Sequence, residues 1–192
     1  MIGANYVYPK ETNREVKALL AKFGGEAVAE EYSPLGHTEF STNLNKIAAS
    51  GTDIVFSDLV GDQIVAFHKQ YREFGITPED IPICSSVTTE QENVAMGGDN
   101  AAGHYTSMSY FQTVDSPENK SFVQKFRAKY EEDQVTNAVM ECAYIQTHFL
   151  AQAIEKVGTD TDALIREGLP GQEFQGPQGK VKVDEKNHHA WL

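Results

Sequence analysis

Met1-Ile2-Gly3-Ala4-Asn5-Tyr6-Val7-Tyr8-Pro9 opens the chain with an apolar, strand-like run that ends in two tyrosines. A helical pattern stands directly behind it. The reading predicts a strand over residues 2–8, then a helix capped by Thr12 or Asn13, with Val16, Leu19, Leu20 and Phe23 on one face. Gly24-Gly25 ends that helix, because glycine accepts the left-handed backbone of a C-terminal cap. In an open α/β sheet the C-terminal ends of the strands face the ligand crevice, so Tyr6 and Tyr8 are pocket candidates. A buried strand with no leading residues is an unusual start, so the chain is expected to begin in the middle of a larger protein.

Outward from this stretch the pattern repeats. Residues 26–32 are the next strand candidate, and Phe40, Leu44, Ile47 and Ala48 line a helix that Gly51 ends. Asp53-Ile54-Val55-Phe56 is a short apolar strand, followed by a helix with Ile64, Phe67, Tyr71 and Phe74 on one face. Ile81-Pro82-Ile83-Cys84 is another strand, and a short helix follows from Glu90 to Met96. Strands of this length alternating with helices predict βαβ units and a largely parallel sheet. Beyond residue 104 the texture changes to an extended run of mixed polarity. Ser116-Pro117-Glu118 then starts a helix, with serine as cap, proline at the first helical position and an acid in the first turn. A longer helix runs from Asn137 to Val157 and a short one over 161–168, and Gly176-Pro177-Gln178-Gly179 is a turn before the alternating strand Lys180 to Asp184.

The 192 residues suffice for one large domain or two small ones. A formal charge of -12 argues against nucleic acid or an anionic membrane as partner. The chain contains no run of about 20 apolar residues that could span a bilayer, and no secretory signal leads it. Cys84 and Cys142 sit where core side chains are expected and read as two free thiols, with a bridge between them left open by the sequence, which does not give their separation in space. No glycine-rich phosphate loop and no metal-ligand spacing are present, so neither a cofactor nor a metal is expected.

Three successive strands are expected to deliver polar tips to one rim: Tyr8, Ser57-Asp58, and the segment Ser85 to Glu90. Each has a plainer explanation. Thr88 or Thr89 can cap the following helix, Gly61 can let a helix start close to the sheet, and the tyrosines can be edge packing. Their convergence favours binding of a small polar molecule, with tyrosine rings against a planar group. Catalysis lacks support, because no histidine falls on the predicted rim to activate a nucleophile.

Gly3-Ala4-Asn5-Tyr6-Val7-Tyr8-Pro9, Gly24-Gly25 and Glu30-Glu31-Tyr32-Ser33-Pro34-Leu35-Gly36 resemble the substrate-binding proteins of urea and short-chain amide ABC transporters, and the related amide sensor that regulates amidase expression. Asp53-Ile54-Val55-Phe56-Ser57, Gly103-His104-Tyr105, Tyr110-Phe111, Asp115 to Lys120 and Asn187-His188-His189 continue the likeness along the whole chain. The resemblance implies an α/β fold, the parallel-sheet sandwich lobe of a type I periplasmic binding protein, with extra helices that belong to the partner lobe. It assigns residues 1–112 to ligand-binding lobe two, 113–169 to helices returned to lobe one, and 170–192 to the return crossing and strand of lobe two.

The expected function is the C-terminal half of a non-enzymatic solute-binding protein that captures urea or a short amide for an importer. The alternatives are a cytoplasmic amide-sensing regulator and, trailing, a small-molecule hydrolase. The ligand-binding residues expected are Tyr6, Tyr8, Ser57, Asp58, Val60, Gly61, Thr88 and Glu90, with no catalytic or metal residues. Expected partners are urea or a neutral amide, the N-terminal lobe of the parent, the membrane permease, and a second copy through the unpaired helices. The parent is expected to be periplasmic or extracellular, lipid-anchored or soluble. A ligand of about four heavy atoms gains at most about 1.5 kcal/mol per atom. Micromolar binding needs about 8 kcal/mol, so one lobe alone should bind weakly.

Overall fold

The computed structural model describes residues 1–191, which divide into two compact units, Met1–Met108 and a second beginning at Ser109. The first unit is a five-stranded, wholly parallel sheet of β1 (Ile2–Ala4), β2 (Glu31–Ser33), β3 (Val55–Asp58), β4 (Ile83–Ser85) and β5 (Tyr105–Thr106). Their spatial order is β2-β1-β3-β4-β5. The crossovers are α1 (Val7–Phe23), α2 (Ser41–Ser50), α3 (Asp62–Glu73), and the pair α4 (Glu90–Met96) and α5 (Gly98–Ala101).

Strand order decides which face each helix covers. The step from β1 to β2 runs one way along the sheet, and every later step runs the other way. Right-handed crossovers therefore put α1 on one face and α2 to α5 on the opposite face. The core follows this division. Ile2, Val55 and Ile83 from the strands meet Phe40 and Leu44, Ile64, Phe67 and Tyr71 of α3, and Met96 of α4. Phe40 and Phe67 meet edge to face at 5.2 Å between ring centres, a favoured aromatic geometry. No α1 residue belongs to this cluster. The expected apolar face of α1 is therefore corrected: Leu19 and Phe23 are exposed, and only Pro9 and Asn13 of that helix are buried.

The first strand is also shorter than its composition suggests. It stops at Ala4, and α1 begins at Val7 with Tyr6 at its N-cap and no side-chain cap, so Thr12 and Asn13 lie inside the helix. Pro9 is accommodated because the first turn of a helix has no use for the missing N–H. Tyr8 consequently sits in the first turn of a helix and not on a strand. The strand at 53–56 is displaced to 55–58, which places Ser57 and Asp58 inside β3. Thr89 caps α4 in a reciprocal capping box with Glu92.

The second unit packs α6 (Pro117–Lys129) and α7 (Ala138–Val157) with an antiparallel sheet of β6 (Glu173–Gly176), β7 (Gly179–Val183) and β8 (Ala190–Trp191). Ser116 caps α6 as the sequence predicts, and Asn137 caps α7, its side chain accepting from the Met140 N–H. A short helix α8 (Thr161–Ala163) runs into a π-turn over Leu164–Gly168. Ile145 and Phe149 of α7 pack against Val181 and Val183. Tyr110 donates to Asn119 Oδ1 at 2.7 Å and meets the Thr136 hydroxyl at 2.8 Å, while Gln112 Oε1 accepts from the Thr136 N–H. Cys84 and Cys142 are free and half-buried. Among the described residues no helix is long and apolar enough to cross a membrane.

Candidate functional site

In an open parallel sheet whose order reverses beside the first strand, the loops leaving the two neighbouring strands diverge and leave a crevice at their C-terminal ends. Here that point lies between β1 and β3, with Gly3 paired to Asp58. The loop from β1 carries Tyr6 and the first turn of α1 carries Tyr8, the tip of β3 carries Asp58, and the loop from β4 carries Ser86.

Asp58 is at the centre. Its residue exposure is 0%, and the Ser86 hydroxyl donates to Oδ1 at 2.6 Å. Oδ2 is buried without a completed hydrogen bond. The Thr12 hydroxyl lies near enough to favour the charged carboxylate, yet it is spent on the Tyr8 carbonyl at 3.0 Å. Burial pushes the Asp58 carboxyl above the usual aspartate range, with the Ser86 and Thr12 hydroxyls opposing. Tyr8 extends the chain, its phenol 3.2 Å from the same Ser86 oxygen. Tyr6 stacks on Tyr8 with ring centres 6.3 Å apart and planes at 28°. Burial first, then Tyr8 and Asp58, push the Tyr6 phenol above its ordinary value. The result is an aromatic wall beside a desolvated acid.

The structure thus brings Tyr6, Tyr8 and Asp58 together through Ser86, which the sequence reading placed within the rim segment but did not single out. The other candidates stand apart from this chain of contacts. Ser57 is buried within β3, in register with Ser85. Thr88 turns its hydroxyl to Ser85 Oγ at 3.0 Å and holds the β4 loop. Gly61 has φ 56 and starts α3, with Ile64 N–H donating to its carbonyl at 3.0 Å, and Val60 is half-buried beside it. Glu90 is half-buried in the first turn of α4. Ser86 could have been found from one signal: it is the first residue past a strand whose neighbours end in polar groups.

The enclosed space of this unit is elsewhere. A small apolar hollow of about 50 Å³ lies at the N-terminal ends of β1 to β3, bordered by Ile2, Val28, Ile47 and Ile54. It holds little more than a water or two. Among the described residues, no three His, Cys, Asp or Glu side chains stand together as a metal site.

A family model described as "Periplasmic binding protein domain" matches residues 1–192. The chain is 30% identical over 176 residues to the "Leu/Ile/Val-binding protein homolog 6" of Brucella suis, covering 90% of this chain and 45% of that protein. It is 29% identical over 171 residues to an "Amino acid binding protein" of Pseudomonas aeruginosa, covering 88% and 44%. A solute binding protein of an ABC transporter from Rhodopseudomonas palustris, solved in complex with p-hydroxybenzoic acid, superposes with a TM-score of 0.85 at 26% identity, covering 98% of this chain and 52% of that one. The chain therefore spans about half the length of the proteins it matches.

These relatives correct the ligand expectation. The two curated relatives above, each matched over about nine-tenths of this chain, carry amino-acid names, so urea and short amides give way as ligand and partner, and the amide importer and amide sensor give way with them.

Proposed function

Because the chain belongs to the periplasmic binding protein family, we propose that it supplies one ligand-gripping wall of an amino-acid receptor for an ABC importer. The family is one of binding domains and not of enzymes, and it works in the periplasm or outside the cell. The observation that carries the reading is the Asp58 carboxylate, wholly buried at the sheet's switch point with Oδ2 unfilled. An α-ammonium group placed there would pair the charge and complete its hydrogen bonding. The paired rings of Tyr6 and Tyr8 suit an apolar side chain, as in leucine, isoleucine or valine. An aromatic carboxylate is disfavoured, since it would set an anion against Asp58.

In the same reading, residues 1–112 form the ligand lobe, 113–169 provide helices to the opposite lobe, and 170–192 carry the return crossing. The remaining lobe and the permease act in the full-length protein. Closure of the second lobe over the ligand removes water from the Asp58 contact, which strengthens it.

Calorimetric titration of the full-length protein with L-leucine, L-valine and benzoate tests the assignment. Saturable heat with the amino acids, lost when the α-amino group is acetylated, is the expected result. Equal binding of the acetylated ligand would remove Asp58 from ammonium recognition.

A further inference from the structure

The second unit holds a buried acid that the solute site does not use. Glu141, in the first turn of α7, has 0% exposure, and neither carboxylate oxygen completes a hydrogen bond. It faces the turn joining β6 to β7. A Cβ added at Gly176 in that turn would stand 3.5 Å from Glu141 Oε1 and 2.9 Å from Ile145 Cδ1, so the turn lies flat against α7. The side-chain amide of Gln178 in the same turn is also buried, with both polar atoms unfilled. On its other side the turn is pinned to the start of α6, where the Ser116 hydroxyl donates to the Pro177 carbonyl at 3.1 Å.

Among the described residues, the lysines of the flanking elements are engaged with other acids, and His188 of the β7–β8 loop borders the same hollow as Gln178 and Ile145. Lys180 of β7 pairs with Glu173 of β6 at 2.6 Å, and Lys182 leans towards Glu185 at 3.9 Å. Lys120 of α6 pairs with Asp115 at 2.6 Å. On α7 itself the neighbouring titratable group is the Cys142 thiol, which feels the Glu141 charge and cannot neutralise it. An ionised carboxylate in this position is a buried charge without a countercharge in contact, eased only by the Gln178 backbone N–H.

We propose that Glu141 is a proton-operated latch, which as a neutral acid lets the β6–β7 turn close on α7 and on ionisation releases it. Burial pushes the Glu141 carboxyl up to about 7, against the opposing effect of the nearby Gln178 backbone N–H. The sign follows directly. Its folded pKa stands above the ordinary 4.5, so the latch contributes fully in acid, and its contribution is lost as pH rises from about 4.5 through about 7. This device is independent of the solute-binding reading.

Two measurements on the intact chain test it. A carbon-13 titration of the Glu141 carboxyl should show its midpoint near neutrality. Hydrogen exchange of the Phe174 and Val181 amides, corrected for intrinsic rates, should show protection falling about ten- to thirtyfold between pH 5.5 and 8. In Glu141→Gln, which mimics the neutral acid, protection should stay flat over that range. A carboxyl midpoint below pH 5, or the same pH dependence in Glu141→Gln, overturns the latch. The titration needs no variant, so a misfolded mutant leaves the test decisive.

Discussion

Asp58→Asn separates what the acid does for the ligand from what it costs the protein. Asparagine keeps the shape and can still accept the Ser86 hydroxyl, now 2.6 Å from Oδ1. It deletes the charge. In the ligand-free protein that charge is wholly buried with one oxygen unfilled, a situation that costs about 1–3 kcal/mol for a polar group and more for an ion. The folded pKa of Asp58 lies above its ordinary 3.8. Its burial therefore favours folding in acid, and that advantage is lost as pH rises through the raised value. Neutralising the site should raise the melting temperature of the ligand-free first unit by several degrees at pH 7, at about 4–8 °C per kcal/mol for a domain of this size. In the complex the same change removes a charge-assisted contact in a desolvated setting, where truncating one partner costs about 2–5 kcal/mol. Amino-acid affinity should then fall between about thirtyfold and several thousandfold. Thermal melts and calorimetry on the full-length protein read both halves. A variant that binds leucine within twofold of the wild type, or that melts lower without ligand, refutes the reasoning.

The remaining predictions concern the scaffold. Phe67→Ala removes a fully buried ring from the centre of the first core and should cost about 3–5 kcal/mol in urea unfolding of that unit. Burial, aided by the neighbouring His68, pushes His104 down to about 4, and its Nδ1 accepts the Ile83 N–H at 3.0 Å. Because its folded pKa lies below the ordinary 6.5, the first unit should lose stability as pH falls from about 6.5 towards 4. Exchange at the Ile83 amide should accelerate over that range, and a flat profile would contradict it. Ser116→Ala removes both the cap on the Asn119 N–H and the bond to the Pro177 carbonyl, and should destabilise the second unit by about 1–2 kcal/mol in denaturant melts.

The sequence was a good guide to alternation and a poorer one to boundaries. Repeated apolar strands and helical faces sufficed for a parallel sheet, since Ile54-Val55-Phe56 and the Ile64, Phe67, Tyr71 stripe each have one sensible period. Tyr8 was misplaced onto a strand because the apolar run before it reads as extended, whereas the chain turns helical at Val7 and the first turn of a helix tolerates Pro9. The face of α1 misled for a global reason. Amphipathic spacing records a wish to be covered, and only the strand order reveals that nothing within this unit's main core covers Leu19 or Phe23. In the second unit, Glu173 to Gly176 carries too little pattern to declare a strand until its partner Gly179 to Val183 is set beside it.

At the site, Asp58 was legible from its place beside a strand tip, while its significance was not. That an acid is stripped of water with one oxygen left over is a tertiary fact, invisible to spacing. Ser86 escaped because a hydroxyl after a strand more often serves a turn, as Ser85 does for the Val87 and Thr88 amides. Ser57 and Thr88 share that lesson. Their residue types suit recognition, yet β3 and the β4 loop absorb them as structure.

One arrangement in the first unit reaches beyond any single ligand. The side chains that hold the sheet together, among them Phe40, Leu44, Ile64 and Phe67, share a cluster that includes none of Tyr6, Tyr8, Asp58 or Ser86. On the proposed reading, recognition and architecture are thus vested in separate residues. Substitutions at Tyr6, Tyr8 or Ser86 would then alter recognition while the frame beneath continues to fold as before.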